Sequence, residues 1–252
     1  MPVETKSFPH QSDVTEAVIL MAGCGSRLRG SDQTFLKPLV RLAGRPLIAY
    51  IIDALVDAGV KKIHAVVGFE HDRLIAAVKP LIPREIEINF IENPEWQKRN
   101  GLSVLAAGSH VQAPFLLAMS DHLFDRSILA LLIAVADHSM LNLAIDKKLN
   151  SIFDPGDAMK VRTRNGRVIA IGKDLTAYDA IDTGLFVSPT MIFDYLERAK
   201  KDDDCSLAEG VRLMATDGNV LAVDIGDAWW QDIDTPEMLA EAEKRRPLPT
   251  RN

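Results

Sequence analysis

The stretch LMAGCGSRLRGSDQTFLKPL, residues 20–39, combines the residue types that hold a phosphorylated ligand. Gly23 and Gly25 directly follow an apolar run. The backbone there can approach a ligand closely and present consecutive N–H groups as an anion nest. Arg27 and Lys37 add fixed positive charge in the same stretch. Two common phosphate loops fail on spacing. A dinucleotide fingerprint needs G-x-G-x-x-G opening a helix, but the next glycine after Gly25 is Gly30, with basic residues between. A P-loop needs G-K-[ST] at the helix start, which this stretch lacks.

The elements that position this loop are legible as alternating patterns. AVILMA, residues 17–22, is a continuous apolar run ending at Gly23, as in a strand buried on both faces of a parallel sheet. A helix is expected from Pro46, with Leu47, Ile48, Ile51, Ile52 and Leu55 on one face and a stop at Gly59. Strands over 61–68, 86–92, 114–119 and 141–145 alternate with helices near 72–78, 102–111 and 127–136. That alternation predicts an α/β fold, a mostly parallel sheet with helices on both faces and its ligands at the carboxyl ends of the strands. Beyond Asp154 the texture changes, and Asn165-Gly166 between two β-like arms (160–172) predicts a small β-hairpin-bearing lobe. A strand over 181–188, helices near 189–198 and 207–215, a strand over 219–226 and a helix from Pro236 follow. No linker composition separates these parts. Residues 16–245 therefore read as one domain, with 1–15 as a flexible N-terminal extension and 246–252 as a flexible tail.

Composition narrows the function classes. With 47% hydrophobic and 25% charged residues among 252, the chain is an ordinary globular one rather than disordered or collagen-like. The net charge of −6 argues against duplex nucleic acid or an anionic membrane as main partner. Cys24 and Cys205 are too few for a disulfide framework and lack metal-site spacing, so a reducing cytoplasm is the default. The first fifteen residues have no apolar core and no apolar run approaches eighteen residues, so neither secretion by a signal peptide nor stable membrane insertion is expected.

The loop resembles the signature of nucleotidyltransferases that activate sugar phosphates: a strand, then Gly23, Gly25, Ser26, Arg27 and Leu28, a short variable stretch, and Lys37, Pro38, Leu39, continuing as VRLAGRPLI. The resemblance implies a Rossmann-like domain that joins an NTP to a phosphorylated alcohol and releases pyrophosphate. Ala22, Gly23, Gly25 and Ser26 would hold the nucleotide, and Arg27 and Lys37 would bind its triphosphate and neutralise the leaving pyrophosphate. Four further segments, ENPEWQKRNGLSVLAA (92–107), FLLAMSDHLFD (115–125), KVRTRNGRVIAIGKDLTAYDAIDTGLFV (160–187) and WQDIDTPEML (230–239), resemble one branch, the CTP:inositol-1-phosphate cytidylyltransferases. Carried over residue by residue, Asn100 and Ser103 would sit near nucleotide or acceptor. Lys173 would bind the acceptor phosphate, and Asp182, Thr183 and Gly184 would line the polyol pocket. Read from the residues alone, Lys173 is as readily a solvated lysine, whereas Asp182 interrupts an apolar strand and needs partners that polyol hydroxyls could supply.

Such chemistry needs Mg²⁺, a hard ion held by one or two carboxylates plus substrate phosphates. Asp121, just beyond an apolar strand, is the best candidate ligand, with a loop or helix-capping acid as the plain alternative. Asp232 and Asp234 share a side if their segment stays extended. Asp234-Thr235-Pro236-Glu237 is also a helix start, so Asp232 is favoured as ligand and Asp234 as cap or auxiliary ligand. His122 reads as a packing neighbour, and Trp229 and Trp230 as core and rim aromatics.

The expected partners are CTP and a small phosphorylated alcohol, with a homodimer as the candidate assembly. In the inositol-phosphate branch this domain is often fused to a membrane-embedded transferase that consumes CDP-inositol. No such segment is present here, so a separately encoded CDP-alcohol transferase, serving phospholipid or compatible-solute synthesis, is expected. Rival readings are a nucleotidyltransferase for choline phosphate, aminoethylphosphonate or a hexose 1-phosphate, and a nucleotide-sensing subunit without catalysis. Molybdenum-cofactor guanylyltransferases share the opening glycines and resemble the remainder less.

Overall fold

The computed structural model describes residues 14–29, 35–112 and 114–245. The flexible extension expected over 1–15 and the tail over 246–252 fall outside these, except that Val14 is fully buried and the Thr15 carbonyl accepts from Lys61 N–H (2.8 Å).

In chain order the strands are β1 (Glu16–Met21), β2 (Arg41–Leu42), β3 (Arg45–Pro46), β4 (Lys62–Val67), β5 (Glu87–Glu92), β6 (Phe115–Met119), β7 (His122–Phe124), β8 (Leu141–Asp146), β9 (Lys160–Arg164), β10 (Arg167–Gly172), β11 (Ala180–Ser188), β12 (Val220–Asp224) and β13 (Trp230–Asp232). The helices are α1 (Ser26–Arg29), α2 (Leu47–Asp57), α3 (His71–Val78), α4 (Gly101–Ala106), α5 (Ser127–Val135), α6 (Ile192–Ala199), α7 (Leu207–Thr216) and α8 (Pro236–Lys244).

Nine strands form one sheet in the order β5-β4-β1-β6-β11-β8-β12-β10-β9. β5, β4, β1 and β6 run parallel, as does β12 with β8. β11 lies antiparallel between β6 and β8, so the sheet is mixed. The expected hairpin is present, with Asn165 and Gly166 both at positive φ (51° and 72°), as a two-residue turn of matching twist requires. Its arms join the edge of the main sheet: β10 pairs with β12, and β9 folds back to pair with β11.

Period-two alternation sends each face of a strand into a different core. Val18 and Leu20 of β1 join the cluster that includes α4, α6 and α7, whereas Ala17, Ile19 and Met21 join the cluster that includes α2, α3 and α5. Helices therefore cover both faces, which explains the unbroken apolar sequence of β1. A third cluster packs Leu123 and Ile233 against Leu47 and Tyr50 of α2 and Met238 of α8. It anchors the β7–β13 ribbon, a feature the sequence pattern did not announce. The helix expected over 102–111 ends already at Ala106, with turns over 107–110.

Candidate active site

The loop after β1 sits where an open α/β sheet binds ligands, outside the carboxyl ends of β1 and β6. Ala22 ends the strand with its carbonyl accepting from Phe69 N–H (2.9 Å), and Gly23 is exposed beside it. Gly25 has φ +60°, and a Cβ there would stand 2.8 Å from the Cβ of Lys37. The glycine thus lets the lysine stem pass directly beneath the loop. Ser26 opens α1, but its side chain lies outside the described part of the structure.

Lys37 is 8% exposed and its Nζ donates to Asp121 Oδ2 and to Asp234 Oδ1. Arg27 donates to Asp234 Oδ2 (2.6 Å) and to Asp157. Burial alone would pull the Lys37 pKa down, but the two carboxylates outweigh it and hold the ammonium above its usual range. Burial likewise opposes ionisation of Asp121, yet Lys37 and His122 hold its carboxyl well below the usual range.

Asp121 and Asp232 come together because β7 pairs antiparallel with β13, placing Asp232 opposite His122, while Ile233 N–H donates to the Asp121 carbonyl (2.9 Å). Burial, together with the nearby charges of Asp234 and Asp121, raises the Asp232 pKa. A carboxylate pushed in that direction gains from a cation beside it. Among the described residues, no three His, Cys, Asp or Glu side chains gather as a self-sufficient metal cage. Two carboxylates fit a hard ion whose remaining ligands are substrate phosphates and water.

Asp234 is not the cap of α8, in contrast to one of the two sequence expectations. Thr235 takes that place, its side chain accepting from Met238 N–H (3.3 Å) from an extended backbone (φ −133°, ψ 161°) directly before Pro236. Asp234 is thereby released to bind both cations.

A cavity of about 610 Å³ opens beside this centre. Its wall includes Arg27, Asp121, Asp182, Gly184, Asp232 and Asp234, and also Lys173 and Asn100. Asp182 accepts from Gly184 N–H (2.7 Å), and burial pushes its pKa up to about 6 against the opposing effects of that bond and of His122. Two predicted side chains point elsewhere. Thr183 is fully buried and donates to the Ala144 carbonyl (2.9 Å), and Ser103 is buried with its Oγ accepting from Asn93 (3.0 Å). Asn100 lines the cavity while its Oδ1 accepts from Leu207 N–H (2.9 Å).

Three residues have larger parts than the sequence suggested. His122 donates from Nδ1 to Asp121 Oδ1 (2.8 Å) and stacks on Trp230, with ring centroids 5.9 Å apart. Asp146, 3% exposed, accepts from the Trp230 indole (3.0 Å) and so fixes the plane on which His122 rests. It ends a buried strand, the same signal that marked Asp121. Asp157 had no such signal, being an acid in a turn that only the fold brings to Arg27 and Lys173.

Gly184 is the close-approach point of this cluster. Its φ is +73°, and a Cβ would lie 2.8 Å from His122 Nε2. Gly184→Ala is expected to cost about 1–3 kcal/mol, from strained backbone plus a displaced His122. Thermal unfolding and turnover of the variant check this, and a neutral effect on both would show that His122 has room to move.

A mixed sheet with helices on both faces and a cationic glycine loop at the carboxyl end of its first strand defines a nucleotidyltransferase-type enzyme. The chain belongs to the family of the MobA-like NTP transferase domain, which matches residues 17–162. It is similar to the inositol-1-phosphate CTP transferase from T. maritima, with a TM-score of 0.80 and 26% identity over 92% of this chain and 94% of that one. A "Bifunctional IPC transferase and DIPP synthase" of Rubrobacter xylanophilus is 34% identical over 90% of this chain and 51% of its own length. One of the same name from Aquifex aeolicus is 32% identical over 92% and 51%. The chain thus spans about half the length of the curated relatives it matches. Among the described residues, no helix is long and apolar enough to cross a membrane.

Proposed function

We propose that the chain makes CDP-inositol and pyrophosphate from CTP and inositol 1-phosphate. An oxygen of the inositol phosphate attacks the α-phosphorus of CTP, and the bond to the bridging oxygen of the β-phosphate breaks, releasing pyrophosphate. The attacking oxygen is already anionic, so no general base is required. Lys37, held in place by Asp121 and Asp234, and Arg27 from the glycine loop carry the charge that builds on the departing oxygens. Asp121 and Asp232 would hold Mg²⁺, which when bound shares that charge with the two cations. Lys173 would take the acceptor phosphate and Asp182 would accept from its ring hydroxyls. A cytoplasmic setting, where nucleoside triphosphates are held, fits this reading, and a CDP-alcohol transferase would consume the product.

The observation that carries the choice of acceptor is the state of the aromatic side chains. A choline group asks for an aromatic cage. Here Trp229 lies under Arg245 (5.1 Å), Trp230 is stacked on His122, and Tyr178 faces Lys160 (5.8 Å). Each of these three rings already serves a cation or imidazole, which leaves exposed Phe153 and buried Phe186 as the other phenyl rings on the cavity wall. The cavity sets Lys148 and Lys173 beside its carboxylates, a mixed charge that suits a phosphorylated polyol, and the similarity to the inositol-1-phosphate CTP transferase supports the same reading.

The test is Mg²⁺-dependent pyrophosphate release over CTP, UTP, GTP and ATP against inositol 1-phosphate, choline phosphate, aminoethylphosphonate and glucose 1-phosphate. Release confined to CTP with inositol 1-phosphate is expected. Release with another pair would keep the mechanism and overturn the substrate, and none anywhere would favour a sensing subunit.

A further inference from the structure

The cavity wall carries a second charge cluster, joined to Lys37 through the Asp234 carboxylate that Arg27 shares with it. Asp157 accepts from Arg27, in the loop after β1, and from Lys173, the residue after β10. These cations are 146 positions apart in sequence and converge on one carboxylate. Upstream, Asp154 Oδ1 accepts from the backbone N–H groups of Gly156 (3.1 Å) and Asp157 (3.2 Å), a turn that holds the Asp157 backbone in place. All three charged side chains keep contact with solvent, at 54%, 48% and 35% exposure for Arg27, Lys173 and Asp157. A diffusing anion can therefore reach both cations.

Two cations meeting at one pair of oxygens is the setting a phosphate monoester receives, and the monoester brings more charge and a third oxygen than a carboxylate does. We propose that Asp157 is an internal stand-in for substrate phosphate, bridging Arg27 and Lys173 until phosphates displace it, the acceptor's at Lys173 and the triphosphate's at Arg27. The assignment rests on the phosphate-binding reading of this cavity given above. The bridge keeps two like charges together without a ligand and sets a threshold that a doubly charged phosphate passes more readily than a singly charged anion. Asp157 is accordingly a specificity residue whose contact is lost, not gained, when substrate binds.

The experiment compares the full chain with Asp157→Asn, Asp157→Ser and the double variant Asp157→Asn with Lys173→Gln, using inorganic phosphate as probe in calorimetric titrations. Exposed ion pairs of this kind are modest, so each single Asp157 variant is expected to bind phosphate about three- to tenfold more tightly than wild type. That gain should vanish in the double variant. Weaker or unchanged binding in the Asp157 variants would overturn the proposal, because Asp157 would then be holding the cations in place for the ligand. A gain that survives loss of Lys173 would overturn it too. The readout needs no turnover. Tighter phosphate binding without pyrophosphate release from any substrate pair would keep the stand-in and sink the cytidylyltransferase reading, and intact release with weaker binding would do the reverse.

Discussion

Lys37→Met is expected to lower pyrophosphate release by about 10³-fold while leaving a folded protein of reduced stability. Methionine keeps an apolar stem beneath Gly25, so the change isolates the charge. In the wild type the buried ammonium lies between Asp121 and Asp234, and without it the two carboxylates face each other with Arg27 still paired to Asp234 and His122 to Asp121. Breaking a buried pair from one side costs about 3–5 kcal/mol, and the remaining arginine contact argues for the lower end. The Asp121 carboxyl is held below its unfolded pKa, so its contribution is present above about pH 4 and is lost as pH falls further. The stability gap between wild type and variant should therefore narrow below about pH 4. Denaturant unfolding across pH and a pyrophosphate assay measure the two effects. A near-wild-type rate would remove Lys37 from the catalytic centre.

Asp182→Asn is expected to move stability and function in opposite directions. The folded carboxyl titrates at about 6, raised chiefly by burial, against an ordinary value of 3.8. The folded state therefore binds the proton more tightly than the unfolded one, and stability falls as pH rises from about 4 to about 6, then levels. Asparagine keeps the shape and an oxygen for Gly184 N–H but has no charge to bury. Above pH 6 the variant should be more stable by roughly 2–3 kcal/mol, with the gain fading to nothing near pH 4. Loss of a charged acceptor facing the substrate hydroxyls should raise KM for inositol 1-phosphate about 10–100-fold and leave KM for CTP near its wild-type value. A stability gain independent of pH would mean that the carboxyl is ordinary, and a rise in both KM values would place it elsewhere in the site.

Much of this site could be read from local sequence because its chemistry concentrates at strand ends. The apolar run 17–22 leading into Gly23 placed the glycine loop, and Asp121 followed the same rule one strand over. Period-two alternation put Asp232 and Asp234 on one side, and in the structure β13 pairs with β7 so that Asp232 stands opposite His122. What local pattern could not supply was neighbourhood across long separations. β11 enters antiparallel between β6 and β8, an order that no run of residues encodes. Asp234 looked like a helix cap because Asp and Thr both cap helices, and only the backbone at Thr235 decides between them. Asp157 became visible only when β1, β10 and the turn at Asp154 were seen together.

The β7–β13 ribbon also dictates when this enzyme can first act. Asp121 and Asp232 are 111 positions apart, so a growing chain exposes the first carboxylate well before the second. At synthesis rates of about 5–20 residues per second, that interval is roughly 5–20 s. During it the parallel strands β1, β4, β5 and β6 have all left the ribosome with Lys37 paired to half of its acids at most. The proposed catalytic centre is thus a late product of translation, and a chain halted or clipped between β7 and β13 would keep its glycine loop and Asp121 yet lack Asp232 and Asp234.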